Sequence, residues 1–399
     1  MSMKIDFLNE SFIRNPFPAY KQVREKDPVY RFLLPNGLYA WIVTRHEDAI
    51  AVFRDSRFIT TPPHVMDITK PTGPIHKEIM SRNLLSVSPA DHRRLRRLVQ
   101  KAFTPRMVEK LRGRIVDIAN ELLDKVQHKE EMNLIEDYAF PLPIIVICEM
   151  LGVPFKDQDQ FRKWSDTIME SVNNPQLAEQ SEQVMSAFVD YLRGLIAEKR
   201  NHLQDDLISD LIRVEEDGDV LSEEEMYALV FVLIIAGHET TVNLIGNGML
   251  ALLEHSDQRE KLQSQPELIH SAVEEMLRYD GPAEVSNIRW ATEDVELQGK
   301  PVRKGDMLLI SLATANRDKE AFEEPDMFDI TRETNNHLAF GKGVHFCLGA
   351  PLARLEGEIA ISTLLQRMPK LRLKKTGRDS LQWRPGMIIR GVKEIPLQF

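Results

Sequence analysis

Cys347 is one of only two cysteines in a chain of 399 residues, and its neighbours single it out. It lies in Phe340-Gly341-Lys342-Gly343-Val344-His345-Phe346-Cys347-Leu348-Gly349, and the following stretch, Leu348 to Arg367, reads as a helix. A thiolate is a good metal ligand where its charge is stabilised, and the amides of a helix N-terminus favour that charge. Gly341, Gly343 and Gly349 allow the backbone to turn sharply and to lie close to a flat cofactor. A lone cysteine at a helix entry is by itself better read as a buried free thiol. The spacing Phe-x-x-Gly-x-His-x-Cys-x-Gly at Phe340, Gly343, His345, Cys347 and Gly349 outweighs that reading.

A second group of reactive side chains sits inside an apolar run. Ser222 and the acidic Glu223, Glu224 and Glu225 suit the start of a long helix that continues to about Leu253, and Ala236-Gly237-His238-Glu239-Thr240-Thr241 falls in its middle. Polar groups left unmet in such a place cost about 1–3 kcal/mol each. Thr240 could return its hydroxyl to the Ala236 carbonyl and bend the helix. Alternatively, a carboxylate and a hydroxyl side by side next to two small residues could hold water and pass protons.

Two more patterns carry charge at helical spacing. In Asp91-His92-Arg93-Arg94-Leu95-Arg96-Arg97 the i,i+4 relation puts His92 with Arg96 on one face and Arg93 with Arg97 on another. In Glu275-Met276-Leu277-Arg278 the acid and the guanidinium share a face at i,i+3. Each pattern alone is equally well explained by a solvated, ion-paired surface.

In this order and at this spacing, the segments together resemble the cytochrome P450 family. The Cys347 loop resembles its heme-binding loop, Ala236 to Thr240 its oxygen-activation motif Ala/Gly-Gly-x-Asp/Glu-Thr, and His92-x-x-x-Arg96 its propionate clamp. Glu275-x-x-Arg278 resembles its structural Glu-x-x-Arg, with Arg332 as third member. The resemblance implies heme b with Cys347 as axial thiolate, and His92, Arg96, Arg289 and His345 as propionate partners. It implies Glu239 as the acid of a proton relay and Thr240 as its hydroxyl. By family position Leu84, Leu85, Val232, Ile235, Ala236, Val285, Asn287 and Ile388 would line the substrate pocket, with Met387 beside Ile388.

The activity implied is a monooxygenase that inserts one oxygen atom of dioxygen into a C–H bond of a small apolar substrate. No flavin- or nicotinamide-binding segment is expected within the chain, so electrons would come from a separate ferredoxin or flavodoxin with its NAD(P)H-dependent reductase. Lys342, Arg93, Arg97 and Arg354 are candidates for a basic patch where that donor docks. A peroxide-driven peroxygenase and a heme-binding sensor without turnover are the alternatives, with a zinc or purely structural role for Cys347 as a third.

The scaffold expected from the resemblance is mainly α with small β-sheets, a triangular helical domain plus a minor β-rich lobe, in one domain over 1–399. The residue patterns agree in outline. Phe17 to Lys26 reads as a short amphipathic helix. Val29 to Phe32 and Tyr39 to Val43 read as a hairpin about Pro35-Asn36-Gly37, and His46 to Phe53 as a helix. Thr60 to Pro89 is a long irregular loop, either a pocket wall or a solvated excursion until the resemblance favours the former. Helices are expected over Met107 to Gln127, Phe140 to Leu151, Asp157 to Ser171, Gln176 to Asn201, Asp257 to Gln263 and Pro266 to Tyr279. Asn173-Asn174-Pro175 is a helix stop that could act as a lid hinge. Ser286 to Arg289, Val295 to Leu297, Met307 to Ser311, Leu371 to Leu373 and Met387 to Arg390 read as strands, and Glu323 to Ala339 as a wandering loop.

Composition narrows the partners. With 43% hydrophobic and 28% charged residues and a net charge of -10, the chain reads as an ordinary folded protein, with no affinity for nucleic acid or for an anionic membrane surface. Met1 to Asp27 has no apolar stretch of the kind found in signal peptides, and Tyr227 to Gly237 is shorter than the ~20 residues that span a bilayer. A cytoplasmic monomer without membrane anchor is expected. Two cysteines make no disulfide framework, so Cys148 reads as a buried thiol.

Overall fold

The computed structural model describes residues 9–34, 37–62, 79, 81–173, 177–216, 221–374 and 378–399. The hairpin turn at Pro35-Asn36, most of the proline-rich loop (63–78 and 80) and the Asn174-Pro175 break lie outside the described residues. The chain sorts into two compact units. One comprises Met1–Thr60, Ala119–Ala139 and Thr240–Phe399, the other Thr61–Ile118 and Phe140–Glu239.

The first unit carries the described sheets. Five strands lie in the order Val29–Leu33, Tyr39–Val43, Met307–Ile310, Arg289–Ala291 and Phe58–Ile59. The first two form the expected antiparallel hairpin, with Val29 opposite Val43 and Leu33 opposite Tyr39. Tyr39–Val43 then runs parallel to Met307–Ile310. Alternation along the strands sends Trp41, Val43, Leu308 and Ile310 into one apolar cluster with Val52 and Phe53 of the His46–Arg54 helix.

Two strand expectations are corrected here. The strand placed at Ser286 to Arg289 instead runs Arg289–Ala291, and Val285 makes only an isolated bridge to Ser311. Met387 to Arg390 forms no strand beyond the bridge of Ile389 to Ala283, while Pro396–Gln398 pairs with both Glu131–Asn133 and Arg372–Leu373. Strand formation follows the partner as much as the local residues. The remaining hairpin, Val295–Leu297 with Lys300–Val302, matches its turn signal at Gly299, which has φ +73°.

Helices dominate the second unit, and their ends have local causes. Ser88 starts Pro89–Ala102 by accepting the Asp91 N–H at 3.2 Å, with Pro89 preset for the first turn. The single helix expected over Met107 to Gln127 is in fact two, Pro105–Lys110 and Arg112–Asp124, because the Leu111 N–H turns back to the Val108 carbonyl at 3.0 Å. Pro141–Leu151 ends at Gly152, whose φ of +75° suits a left-handed cap. Leu207–Glu216 is a further helix, outside the segments expected to be helical.

Glu223–Glu254 is the long apolar helix. It opens with a reciprocal cap, the Glu225 N–H on Ser222 Oγ at 3.2 Å and the Ser222 N–H on Glu225 Oε2 at 2.9 Å. With 32 residues it is the one described helix long and apolar enough to cross a membrane, so the run Tyr227 to Gly237 understated it. Of its apolar stretch 61% is buried within the protein, as in a core helix.

Candidate functional site

The cysteine loop is built by backbone geometry that its glycines permit. Gly341 and Gly343 have φ of +68° and +76°, and a Cβ on Gly343 would lie 2.9 Å from the Phe53 carbonyl oxygen. Glycine is therefore required at 343 by both conformation and space. Gly349 differs: its φ is −78°, and a Cβ there would meet only Cys347 Sγ, at 4.0 Å. The Cys347 N–H bonds to the Phe340 carbonyl at 3.0 Å, and the Ala350–Arg367 helix follows. Cys347 is half-buried, while Val344 and Phe346 beside it are 64% and 40% exposed.

The other cysteine is inert by comparison. Cys148 is wholly buried in Pro141–Leu151, and burial, helped by the neighbouring Glu149 charge, pushes its thiol up to about 12. Among the described residues no group of three or more His, Cys, Asp or Glu is gathered to hold a metal ion.

Arg289 and His345 come to the same edge of the five-stranded sheet. His345 Nε2 lies 3.4 Å from Thr60 Oγ1, just after the Phe58–Ile59 strand. Arg289, 3% exposed on the neighbouring strand, gives one N–H to the Phe58 carbonyl at 3.3 Å and lies 5.6 Å from the centre of the Phe53 ring. Its Nε and Nη2 have no hydrogen-bond partner among the described residues, and burial lowers its guanidinium to about 10. A buried cation without a carboxylate is costly unless an anion completes it. The propionate of a heme fits that need.

In the second unit His92 and Arg96 occupy successive turns of Pro89–Ala102. His92 is buried and Arg96 half-buried, while Arg93 and Arg97 are exposed, so the helix separates the two pairs as their spacing predicts. Arg94 is ion-paired with Glu225.

The polar centre of the long helix is divided in its tasks. His238 is a satisfied core histidine, 2% exposed, with Nε2 3.2 Å from the Phe140 carbonyl and its ring edge-on to Phe140 at 4.3 Å. Gly237 lets this helix approach Pro141–Leu151, since a Cβ there would sit 3.1 Å from Ile147 Cδ1. Its small size is therefore used in packing. Glu239 and Thr240 are half-buried in an unbroken helix.

Of the expected pocket residues, Val232, Ile235 and Ala236 follow one another at i, i+3 and i+4 on the long helix, and Leu84 and Leu85 fall in a turn of the same unit. Leu85 is 42% exposed. In the first unit Val285 is buried, the half-buried Asn287 has no partner for its Nδ2 among the described residues, and Ile388 is 54% exposed. The Glu284 N–H bonds to the Ile388 carbonyl at 2.9 Å, which brings 285 and 388 near each other. A surface hollow of about 340 Å³ lined by Leu262, Pro266, Ile269 and Leu365 includes none of the candidate residues.

The Glu275 cluster is fully assembled. Arg278 Nε and Nη2 bind Glu275 Oε2 and Oε1 at 2.7 and 2.8 Å, both side chains wholly buried. Arg332 Nε reaches Oε2 at 3.2 Å, and Asn335 and the Asp329 N–H add further bonds to the same carboxylate. Arg278 also donates to the carbonyls of Asn316, Pro325 and Met327. The wandering stretch 323–339 is thereby fixed without regular structure.

Two residues have partners that no local pattern shows. Arg354, expected in a docking patch, is instead committed to Glu274 by two bonds of 2.6 and 2.8 Å. Its partner lies on another helix, so no local pattern reveals the pair. Glu356 is 2% exposed and hydrogen-bonded to Thr241. Its position on the apolar stripe of Leu352, Leu355, Ile359 and Ala360 was a readable signal.

The family model described as Cytochrome P450 matches residues 11–390. A Bacillus subtilis protein named "Cytochrome P450" is 44% identical, the match covering 98% of this chain and 96% of that one. Among solved structures, the Bacillus subtilis bacillaene polyketide synthase cytochrome P450 PksS superposes with a TM-score of 0.92 at 41% identity, covering 99% of each chain. P450BioI, in complex with an acyl carrier protein bearing hexadec-9Z-enoic acid, superposes with a TM-score of 0.91 at 38% identity, covering 98% of this chain and 100% of that one. With the cysteine loop and a match that runs nearly end to end, the chain belongs to the cytochrome P450 family, as a monooxygenase with the fold of that family.

Proposed function

We propose that this P450 hydroxylates a C–H bond of a small, mainly apolar organic molecule, with heme b held by the Cys347 thiolate. The observation that carries the cofactor assignment is Arg289, a buried guanidinium with two N–H groups unmet among the described residues, on the strand edge that also receives His345. Bound to this loop, a thiolate-ligated heme supplies the oxygen-activating chemistry, the thiolate favouring O–O cleavage.

The chain's own residues do the rest. Arg289 and His345 would neutralise cofactor carboxylates, and the resemblance adds His92 and Arg96 to that task. The Glu239 carboxyl would take up a proton and pass it to Thr240 Oγ1, whose hydroxyl would deliver it to the reacting oxygen. Val232, Ile235, Ala236, Leu84, Leu85, Val285, Asn287 and Ile388 would hold the substrate and limit water. Electrons would come from a ferredoxin or flavodoxin and its NAD(P)H-dependent reductase. Of the basic patch read for that donor, Lys342, Arg93 and Arg97 are retained and Arg354 is not. A single-domain, monomeric, cytoplasmic enzyme of secondary metabolism completes the reading, supported by one family model that runs through both compact units and by the likeness to PksS, the cytochrome P450 of a polyketide synthase.

The test has two stages. Purified protein should carry heme, and its reduced carbon-monoxide complex should show the strongly red-shifted thiolate band; a protein without either sinks the reading. A panel of macrolides, fatty acids free and carrier-linked, terpenes and steroids is then screened for a spin-state change. Hits are incubated with dioxygen and reductase. A hydroxylated product supports the monooxygenase, product from peroxide alone points to a peroxygenase, and tight ligands never converted point to a sensor.

A further inference from the structure

The Ile269–Asp280 helix offers two consecutive carboxylates to two different tasks. Glu275 holds Arg278 and Arg332, as described. Glu274 turns to the cysteine loop. Arg354 Nε and Nη2 meet Glu274 Oε1 and Oε2 at 2.6 and 2.8 Å, and His337 Nε2 lies 3.2 Å from Oε2 with its side chain only 3% exposed. The Arg354 guanidinium carbon lies 4.6 Å from the centre of the Phe340 ring, and the His337 ring is 6.0 Å from the same ring. His337 Nδ1 also accepts the Ala339 N–H at 3.1 Å. Phe340 in turn gives its carbonyl to the Cys347 N–H.

The charges are firmly set. Burial opposes ionisation of Glu274, yet its bonds to Arg354 and His337 hold the carboxyl down at about 2. Arg354 is kept charged first by Glu274 and further by its nearness to Cys347. A lasting cation thus packs on the Phe340 ring of the cysteine loop, with a lasting anion one contact behind it. A neighbouring positive charge draws electron density from a thiolate ligand and favours the reduced metal; a negative charge does the reverse.

We propose that Glu274, Arg354 and His337 form a charge bracket that clamps Phe340 and sets how strongly the Cys347 thiolate donates to the iron. They are positioning residues. The inference rests on the heme-thiolate reading above, and it adds residues that neither the loop motif nor the Glu-x-x-Arg pattern contains.

The test compares the holoenzyme with Arg354→Gln, Glu274→Gln and Arg354→Lys, reading the ferric/ferrous reduction potential and the position of the carbon-monoxide band. Arg354→Gln removes the cation and should shift the equilibrium toward ferric iron by about tenfold, which is about 59 mV for one electron. Glu274→Gln removes the anion and should shift it the opposite way. Arg354→Lys keeps the charge and should leave the potential near that of the parent. Glutamine variants that move the potential in the same direction, or that leave it unmoved, overturn the bracket while the parent's red-shifted band keeps the thiolate reading intact. A parent without that band removes the thiolate, and both readings fall together.

Discussion

The carboxyl of Glu356 is hydrogen-bonded to the hydroxyl of Thr241 in the interior of the protein, with the two residues 2% and 3% exposed. One belongs to the helix that follows Cys347 and the other to the long helix, next to Thr240. A Cβ on Gly357 would lie 3.1 Å from Leu244 Cδ2, so the two helices press close together beside this pair. Burial pushes the carboxyl up to about 8, and Thr241 recovers only part of the loss.

Glu356 should therefore tilt the pH dependence of stability. In the unfolded chain it titrates near the ordinary carboxyl value of about 4.3, so between there and about 8 the native state binds the extra proton. Its contribution is fully present below the lower value and is lost as pH rises through the higher one, at about 1.4 kcal/mol per pH unit. Denaturant unfolding from pH 5 to 8 should show Glu356→Gln flattening this decline. Parallel slopes for parent and variant would contradict the buried neutral acid.

Removing Arg278 takes the two shortest charged bonds from the wholly buried Glu275 carboxylate and leaves it the longer one to Arg332 with Asn335 and the Asp329 N–H. Arg278→Ala is expected to cost about 3–5 kcal/mol, or to abolish folding. Arg332→Ala should cost less, since Arg332 makes the longer bond of 3.2 Å to a carboxylate that Arg278 already satisfies. Urea titrations of the two variants check the order, and equal losses would show the network to be read wrongly.

Arg289→Met should act with opposite signs on two states. The heme-free protein loses a buried, incompletely bonded cation and should gain about 1 kcal/mol or more of stability. The holoenzyme loses an anchor and should release heme faster to an apomyoglobin trap. Slower or unchanged release would remove Arg289 from the cofactor's partners.

Thr240→Ala should leave reduction of the enzyme in place while lowering product formed per NAD(P)H consumed at least several-fold, with peroxide or water making up the difference. Measured side by side on one substrate, unchanged coupling would reject the relay assigned to Glu239 and Thr240.

Much of this was legible because it is local. Phe17–Lys26, the hairpin of Val29–Leu33 with Tyr39–Val43, and the cap at Ser222 depend on residues a few positions apart, and the structure has them where the patterns place them. What the sequence concealed depends on partners brought together by the fold. Pro396–Gln398 is a strand because Glu131–Asn133 and Arg372–Leu373 lie on either side of it. Met387 to Arg390, richer in apolar residues, has no such neighbours beyond one bridge. Arg354 looked like a surface charge for the same reason, since Glu274 lies 80 positions away.

The contrast between the two cysteines has a practical consequence. With Cys148 wholly buried and its thiol held at about 12, only Cys347 can react readily with an alkylating reagent near neutral pH. Iron ligation would shield that sulfur, so labelling stoichiometry becomes a gauge of loading: no label on a filled molecule, one on an empty one. The chain carries its own occupancy counter, readable by mass spectrometry without any spectrum of the cofactor.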